Sequence, residues 1–282
     1  MQEVEYGVWA RNVERGLRAK AEAAARGRGA IPKFSMAFQP IVNVETQEVF
    51  AYESLVRSPN GEAAGRVLNR VPLKSFHLFD KACRSKGIEL AMRLGLVDTS
   101  ASLTVNVNPV AAVEANSHLS LTCCEAVDVG FPLDRLILEF VEDAQLCDPG
   151  AMRQLMSEYQ KMGVRIAIDD FGTGYSGLSL LANLQPDIVK LDMTMVSKID
   201  TDRATAVVLN AMVAACMELG VEVIAEGVER PSIMHALTDI GVVLQQGYLF
   251  ARPEFEALPK VEKTFRYIQH AKTKHHLVAQ AS

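Results

Sequence analysis

MRQLMSEYQKMGVRIAIDD, Met152 to Asp170, decides the fold. A helical pattern runs from Met152 to Met162 and stops at Gly163, a residue free to take the left-handed conformation that closes a helix. The apolar run VRIAIDD follows at once and ends in two carboxylates. The same order recurs downstream: Arg203 to Leu219 stops at Gly220 before VEVIAE, and Ser232 to Ile240 stops at Gly241 before VVLQQ. Helices alternating with nearly continuous apolar strands predict an α/β protein built on a mainly parallel sheet covered on both faces.

The ends of the strands carry the chemistry. FAYE ends at Glu53, LTVN at Asn106, LILE at Glu139, RIAIDD at Asp169 and Asp170, DIVK at Lys190, EVIAE at Glu226 and VVLQQ at Gln246. These ends lie about 20 to 50 residues apart, which suits βα units in a closed (β/α)8 barrel of TIM type, where the C-terminal mouth holds the active site. A single acid there is weak evidence, because acids also begin turns and cap helices. A whole series of polar strand ends is hard to explain as solubility.

The 282 residues are 49% hydrophobic and 22% charged, with 18 Gly and 11 Pro, which excludes disorder, collagen and a disulfide scaffold. The net charge of −5 is unevenly spread. Residues 1–33 carry seven basic and four acidic side chains, residues 260–282 five and one, and the span between them 17 and 29. An acidic centre argues against a groove for DNA or RNA, and it is either solvated or holds cations. The five cysteines, Cys83, Cys123, Cys124, Cys147 and Cys216, include no C-x-x-C pair and fit a reduced cytoplasmic protein. No signal peptide or membrane span is expected: the N-terminus has Glu3, Glu5 and Arg11 but no apolar core, and Asn210, Glu218 and Glu222 interrupt the apolar stretch from Ala204 to Ala225.

Glu53, Glu139, Asp169, Asp170 and Glu226 at one mouth would repel one another strongly without bound cations. Oxygen ligands without His or Cys point to Mg²⁺ or Mn²⁺. The adjacent Asp169 and Asp170 suit a pair of ions arranged for in-line attack at phosphorus, with Asn106 as a neutral ligand. Glu226 is the natural general base. Lys190 either orients the attacking water or offsets developing charge, or is paired with one of the acids for stability. The glycines of DFGTGYSGL, Asp170 to Leu178, allow a mobile lid or close approach to a ligand.

FQPIV (38–42), YESLVR (52–57), VNVNP (105–109), LEFVED (138–143), DDFGTGYSGL (169–178), VKLD (189–192), AEGVER (225–230) and QQGYLFARP (245–253) resemble, in order and spacing, the EAL-domain cyclic di-GMP phosphodiesterases. GFPLDRLILEF is similar to the EAL domains found beside bacterial blue-light sensors. The resemblance implies a modified (β/α)8 barrel with one antiparallel strand, which opens one phosphodiester of cyclic di-GMP to linear pGpG. It implies that Glu53, Asn106, Glu139 and Asp169 hold one metal, that Asp169 and Asp170 serve a second, and that Lys190 and Glu226 manage the attacking water. Gln39, Leu55, Arg57 and Gln246 would line the substrate site, Arg57 through its phosphate-matching guanidinium. Asp192 and Glu229 would support that shell, and Glu142 would anchor the glycine-rich loop. Ca²⁺ would inhibit, being too large for a near-octahedral pair of sites. A homodimer near the glycine-rich loop and a sensor or regulatory protein partner are further implications.

The chain departs from the family pattern at four places. Ser54 replaces the Ala of the signature, Val141 a Thr near the metals, Asn108 a common Ser and Gly177 a frequent Ser. Ser54 supplies no ligand and should matter little, whereas Val141 removes a hydroxyl near the metals. The expected organisation is a helical appendage over 1–33, with its helix at 8–26, a barrel over 34–258 and a basic tail over 259–282. Two rival functions are a receptor that binds cyclic di-GMP without cutting it and a barrel hydrolase for another phosphodiester. The first is disfavoured by the complete acid set, the second by Gln39 and Arg57.

Overall fold

The computed structural model describes residues 31–108, 116–141, 149–172 and 177–261. The helix expected at 8–26, the tail beyond residue 261, Glu142 and residues 173–176 of the glycine-rich loop lie outside the described residues.

The strands are β1 (Ser35–Asn43), β2 (Glu48–Arg57), β3 (Ser102–Val107), β4 (Leu136–Val141), β5 (Arg165–Phe171), β6 (Ile188–Leu191), β7 (Glu222–Ala225), β8 (Leu244–Gln246) and β9 (Glu254–Phe255). Strands β2 to β8 are parallel and adjacent in chain order, and β1 lies between β8 and β2, antiparallel to both, so the barrel closes. The short β9 adds to β1. The fold is thus the expected TIM-type barrel with one reversed strand.

Around the strands lie α1 (Gly65–Leu68), α2 (Phe76–Arg93), α3 (Asn116–Asp128), α4 (Pro149–Lys161), α5 (Gly177–Leu184), α6 (Met193–Val196), α7 (Arg203–Glu218) and α8 (Pro231–Asp239). Helices α4, α7 and α8 end ahead of Gly163, Gly220 and Gly241, whose φ values of +90°, +70° and +93° are left-handed. Asp202 caps α7 by accepting from Ala204 N at 3.0 Å, and Pro231 opens α8, where no helical donor is lost.

One expectation is corrected. FAYE does not end at Glu53: β2 continues to Arg57 because β1 pairs along its full length, from Asn43 opposite Glu48 to Ser35 opposite Arg57. Glu53 therefore stands within a strand rather than at its end.

The larger core fills the space between barrel and helices, with Phe38, Phe131, Phe140 and Phe171 buried in it. A second, separate cluster consists of Ile41, Ala51, Ile137, Ala167, Ile188, Ile224 and Leu244, one from each of seven barrel strands. It plugs the barrel interior as a layer of side chains.

Candidate active site

The plug positions the site through the two-residue period of a strand. Stepping two residues toward the mouth from each plug residue gives Gln39, Glu53, Glu139, Asp169, Lys190, Glu226 and Gln246. The step runs backward from Ile41 to Gln39 because β1 is reversed. Asn106 joins from β3, opposite Glu139 in the ladder. One apolar layer thus supports one polar layer, and residues up to 207 positions apart share a single ring.

Lys190 is the hub. Its Nζ, fully buried, lies 2.6 Å from Glu226 Oε1, 3.2 Å from Glu139 Oε1, 3.4 Å from Asp169 Oδ1 and 3.5 Å from Glu53 Oε2. Burial disfavours its charge, but Asp169, Glu139, Glu226 and Glu53 more than offset this and hold its pKa well above the ordinary lysine value. Gln246 Nε2 donates to Glu53 Oε2 at 2.7 Å, and Asn106 Nδ2 lies 3.5 Å from Glu53 Oε1. Gln39 Nε2 donates to Ala251 O at 3.1 Å.

The acids are loaded beyond what Lys190 neutralises. Burial, opposed by Lys190 and reinforced by Glu53 and Asp169, pushes Glu139 up to about 8. The Thr104 hydroxyl pulls the other way without completing a hydrogen bond of ordinary geometry. Burial, with Asp169 and Glu53, holds Glu226 well above the ordinary carboxyl range, and burial raises Asp169 as well. Among the described residues, Glu139 Oε2 and Asn106 Oδ1 are buried without a hydrogen-bond partner, and Glu139 Oε1 has only the Lys190 ammonium at 3.2 Å. Buried oxygens of this kind call for a ligand.

Asp169 and Asp170 answer a geometric difficulty. Neighbours in a regular strand point to opposite faces, so only one would reach the lumen. The β5–β6 register shifts between Ile168 and Phe171, and Asp170 takes φ +56°, a strained value for a residue other than glycine. With that irregularity, oxygens of Asp169, Asp170 and Glu226 come within 4.8 Å of one another. An all-oxygen set of this spacing suits hard divalent cations.

The other expected residues fall into three groups. Leu55 and Arg57 are buried and share the strand face of Glu53, toward the mouth, and Arg57 Nη1 donates to Val56 O at 2.8 Å. Asp192 is buried and its Oδ1 caps α6 by accepting from Thr194 N at 2.9 Å, a structural duty the sequence reading did not assign. Glu229 is exposed. Ser54 faces away from the lumen onto α2, where a side chain on Gly87 would meet its hydroxyl at 2.5 Å, so the signature's extra oxygen is accommodated by a helical glycine. Sequence reasoning missed Thr104, fully buried in the lumen two residues below Asn106. Its position in the period of LTVN was the available signal.

The family model described as the EAL domain matches residues 23–253. Among curated proteins, the chain is 25% identical over 229 residues to the blue light- and temperature-regulated antirepressor BluF of Escherichia coli, covering 80% of this chain and 55% of that protein. It is 29% identical over 225 residues to the probable cyclic di-GMP phosphodiesterase PdeD of the same organism, covering 78% and 42%, so it spans about half the length of these relatives. Among solved structures, it is similar to a standalone EAL protein from Vibrio cholerae O395 in its c-di-GMP-bound form, with TM-score 0.79 and 39% identity over 84% of this chain and 98% of that one. It is also similar to the manganese/cy-diGMP complex of Klebsiella pneumoniae BlrP1, with TM-score 0.77 and 26% identity over 89% and 68%. Eight motifs in order, a barrel with one reversed strand and a family match across most of the sequence agree: the chain belongs to the EAL domain family.

Proposed function

We propose that this chain hydrolyses cyclic di-GMP to linear pGpG in a reaction that depends on two divalent cations, Mg²⁺ or Mn²⁺. The observation that carries the reading is the ring itself: Glu53, Glu139, Asp169, Asp170 and Glu226 against the single ammonium of Lys190, a surplus of negative charge that divalent cations would balance. The ligands named in the relatives' descriptions, c-di-GMP and manganese, agree with it.

Glu53, Asn106, Glu139 and Asp169 would hold one cation, and Asp169 and Asp170 the other. Bound, the pair would polarise the phosphate and make water nucleophilic near neutral pH. Glu226 takes the proton from the attacking water. Lys190, 2.6 Å from Glu226, stays charged throughout, holds the Glu226 carboxylate in place and offsets charge developing at phosphorus. Arg57 and Gln39 orient the substrate, with Leu55 and Gln246 completing its bed. Asp192 and Glu229 support this shell. The unpaired thiols Cys83, Cys123, Cys124 and Cys216 fit work in a reducing cytoplasm, and no helix among the described residues is long and apolar enough to cross a membrane.

The test is incubation of the purified chain with cyclic di-GMP and Mg²⁺ or Mn²⁺, following pGpG by chromatography. Turnover in either metal, lost in chelator and inhibited by Ca²⁺, is the expected result. Tight binding without turnover would replace the enzyme with a receptor, and neither binding nor turnover would point to another phosphodiester. The implied homodimer is checked by light scattering on the same sample.

A further inference from the structure

We infer that Asp80 and Arg84, on the outer helix α2, are positioning residues for Asn106, an inference that rests on the metal-binding reading of the site above. Their side chains are 5% and 3% exposed and form an ion pair one helical turn apart. The pair is tied on both sides. Asp80 Oδ1 accepts from the backbone N–H of Asn108 at 3.1 Å, and Arg84 Nε donates to Thr122 Oγ1 of α3 at 3.1 Å. The catalytic scheme uses neither charge.

A buried ion pair is a weak source of stability, since apolar residues of similar volume often serve as well or better. Its place suggests a different duty. The β3–β4 ladder ends at Val107, opposite Phe140, and the next fixed backbone group is Asn108 N–H on Asp80. Asn106 lies two residues before that anchor. Its Nδ2 faces Glu53, while its Oδ1 is buried with no hydrogen-bond partner among the described residues, as a metal ligand awaiting its ion would be. A cavity of about 40 Å³, lined by Ser54 and Asn106 on one side and Asp80, Cys83 and Arg84 on the other, lies between this strand end and α2. The Asp80–Asn108 hydrogen bond therefore sets where β3 stops and how Asn106 presents its oxygen, with Arg84 and Thr122 fixing the Asp80 rotamer.

The experiment measures Mn²⁺ binding to the purified full chain by calorimetry, without substrate, alongside the melting temperature. Wild type, Asn106→Ala, Asp80→Asn and the double variant Asp80→Leu/Arg84→Met are compared. The double variant removes both charges together, so it folds where an unpaired buried arginine would not, yet it leaves Asn108 N–H without its acceptor. Mn²⁺ binding weakened about tenfold in the double variant is expected, in the direction of Asn106→Ala, as for other groups behind metal ligands, while Asp80→Asn, whose amide oxygen still accepts from Asn108 N–H, keeps more of the affinity. Wild-type Mn²⁺ affinity in a folded double variant overturns the inference, and the pair is then only a packing device. If Asp80→Asn does not fold, the double variant alone decides. Absence of Mn²⁺ binding in the wild type would sink the metal-site reading itself, a separate outcome.

Discussion

Lys190 shows how far a single side chain can be asked to serve both folding and chemistry. Four carboxylates lie within 3.5 Å of an ammonium with no access to solvent. Removing one member of a buried ionic cluster commonly costs about 3–5 kcal/mol because the remaining charges are left uncompensated. Lys190→Met should therefore lower the melting temperature sharply in chelator and recover part of the loss when Mg²⁺ or Mn²⁺ is added, while turnover stays abolished. A variant that melts like wild type in chelator would mean that the acids are protonated and need no partner. Glu53→Ala and Glu226→Gln should each abolish pGpG formation, and full activity in either would remove the role given to it. The acids and Lys190 were legible in the sequence because each follows an apolar run, and a period of two assigns them a common face. The convergence on Lys190 was not, because it needs closure of the barrel, and closure depends on β1 pairing backward with β8. The strain at Asp170 was equally hidden, since nothing in the letters DD says that both must face inward.

Helix α6 is only four residues long, yet it braces two of the acid-bearing loops. A Cβ on Gly172, just after the Asp169–Asp170 pair, would stand 2.8 Å from Met195 Sδ and 2.9 Å from Met212 Cε. On Gly227, next to Glu226, it would stand 2.4 Å from Met193 Cβ. Both glycines have left-handed φ, +99° and +67°. Gly220 offers a control, with φ +70° and, among the described residues, nothing within 4 Å of an added Cβ. Gly220→Ala should then cost only the backbone term, about 1–2 kcal/mol, with turnover intact. Gly227→Ala should lose stability and also turnover, because Met193 Cβ cannot swing aside and pushes the loop that carries Glu226, whereas Gly172→Ala, which meets the flexible ends of Met195 and Met212, should lose less turnover. Thermal melts and initial rates on the three variants check this, and equal rates for all would show that the loops are not braced by α6. The sequence marked the glycines of DFGTG as a mobile lid or a close approach to a ligand. Which glycine rests on which methionine is a long-range contact between β5, β6 and β7 loops, which no local pattern encodes. The same holds for Asp80 and Arg84, whose spacing on a helix reads as an ordinary surface pair until burial is known.

At the scale of the whole molecule, the acidic span between basic ends gathers five of its 29 acids in one ring, and this makes stability depend on pH in an unusual direction. A carboxyl with a folded-state pKa above its unfolded value takes up its proton on folding. For Glu139, raised from 4.5 to about 8, the associated stability is intact below 4.5 and declines across that interval as pH rises. Glu226 and Asp169, raised by burial, act in the same sense. Asp200, held below its ordinary value by a hydrogen bond from Ser232, loses its contribution only in more acidic solution, so it does not oppose them in this window. The metal-free chain should therefore melt at progressively lower temperature from about pH 5 to about pH 8. Divalent cations bind the deprotonated acids, so their stabilisation grows over the same range and should flatten or reverse the slope. Calorimetric melts in chelator and in millimolar Mg²⁺, each across that interval, measure both slopes. A metal-free chain that gains stability as pH rises would show that the fold favours the ionised acids over the protonated ones, against the raised carboxyl values of Glu139, Asp169 and Glu226.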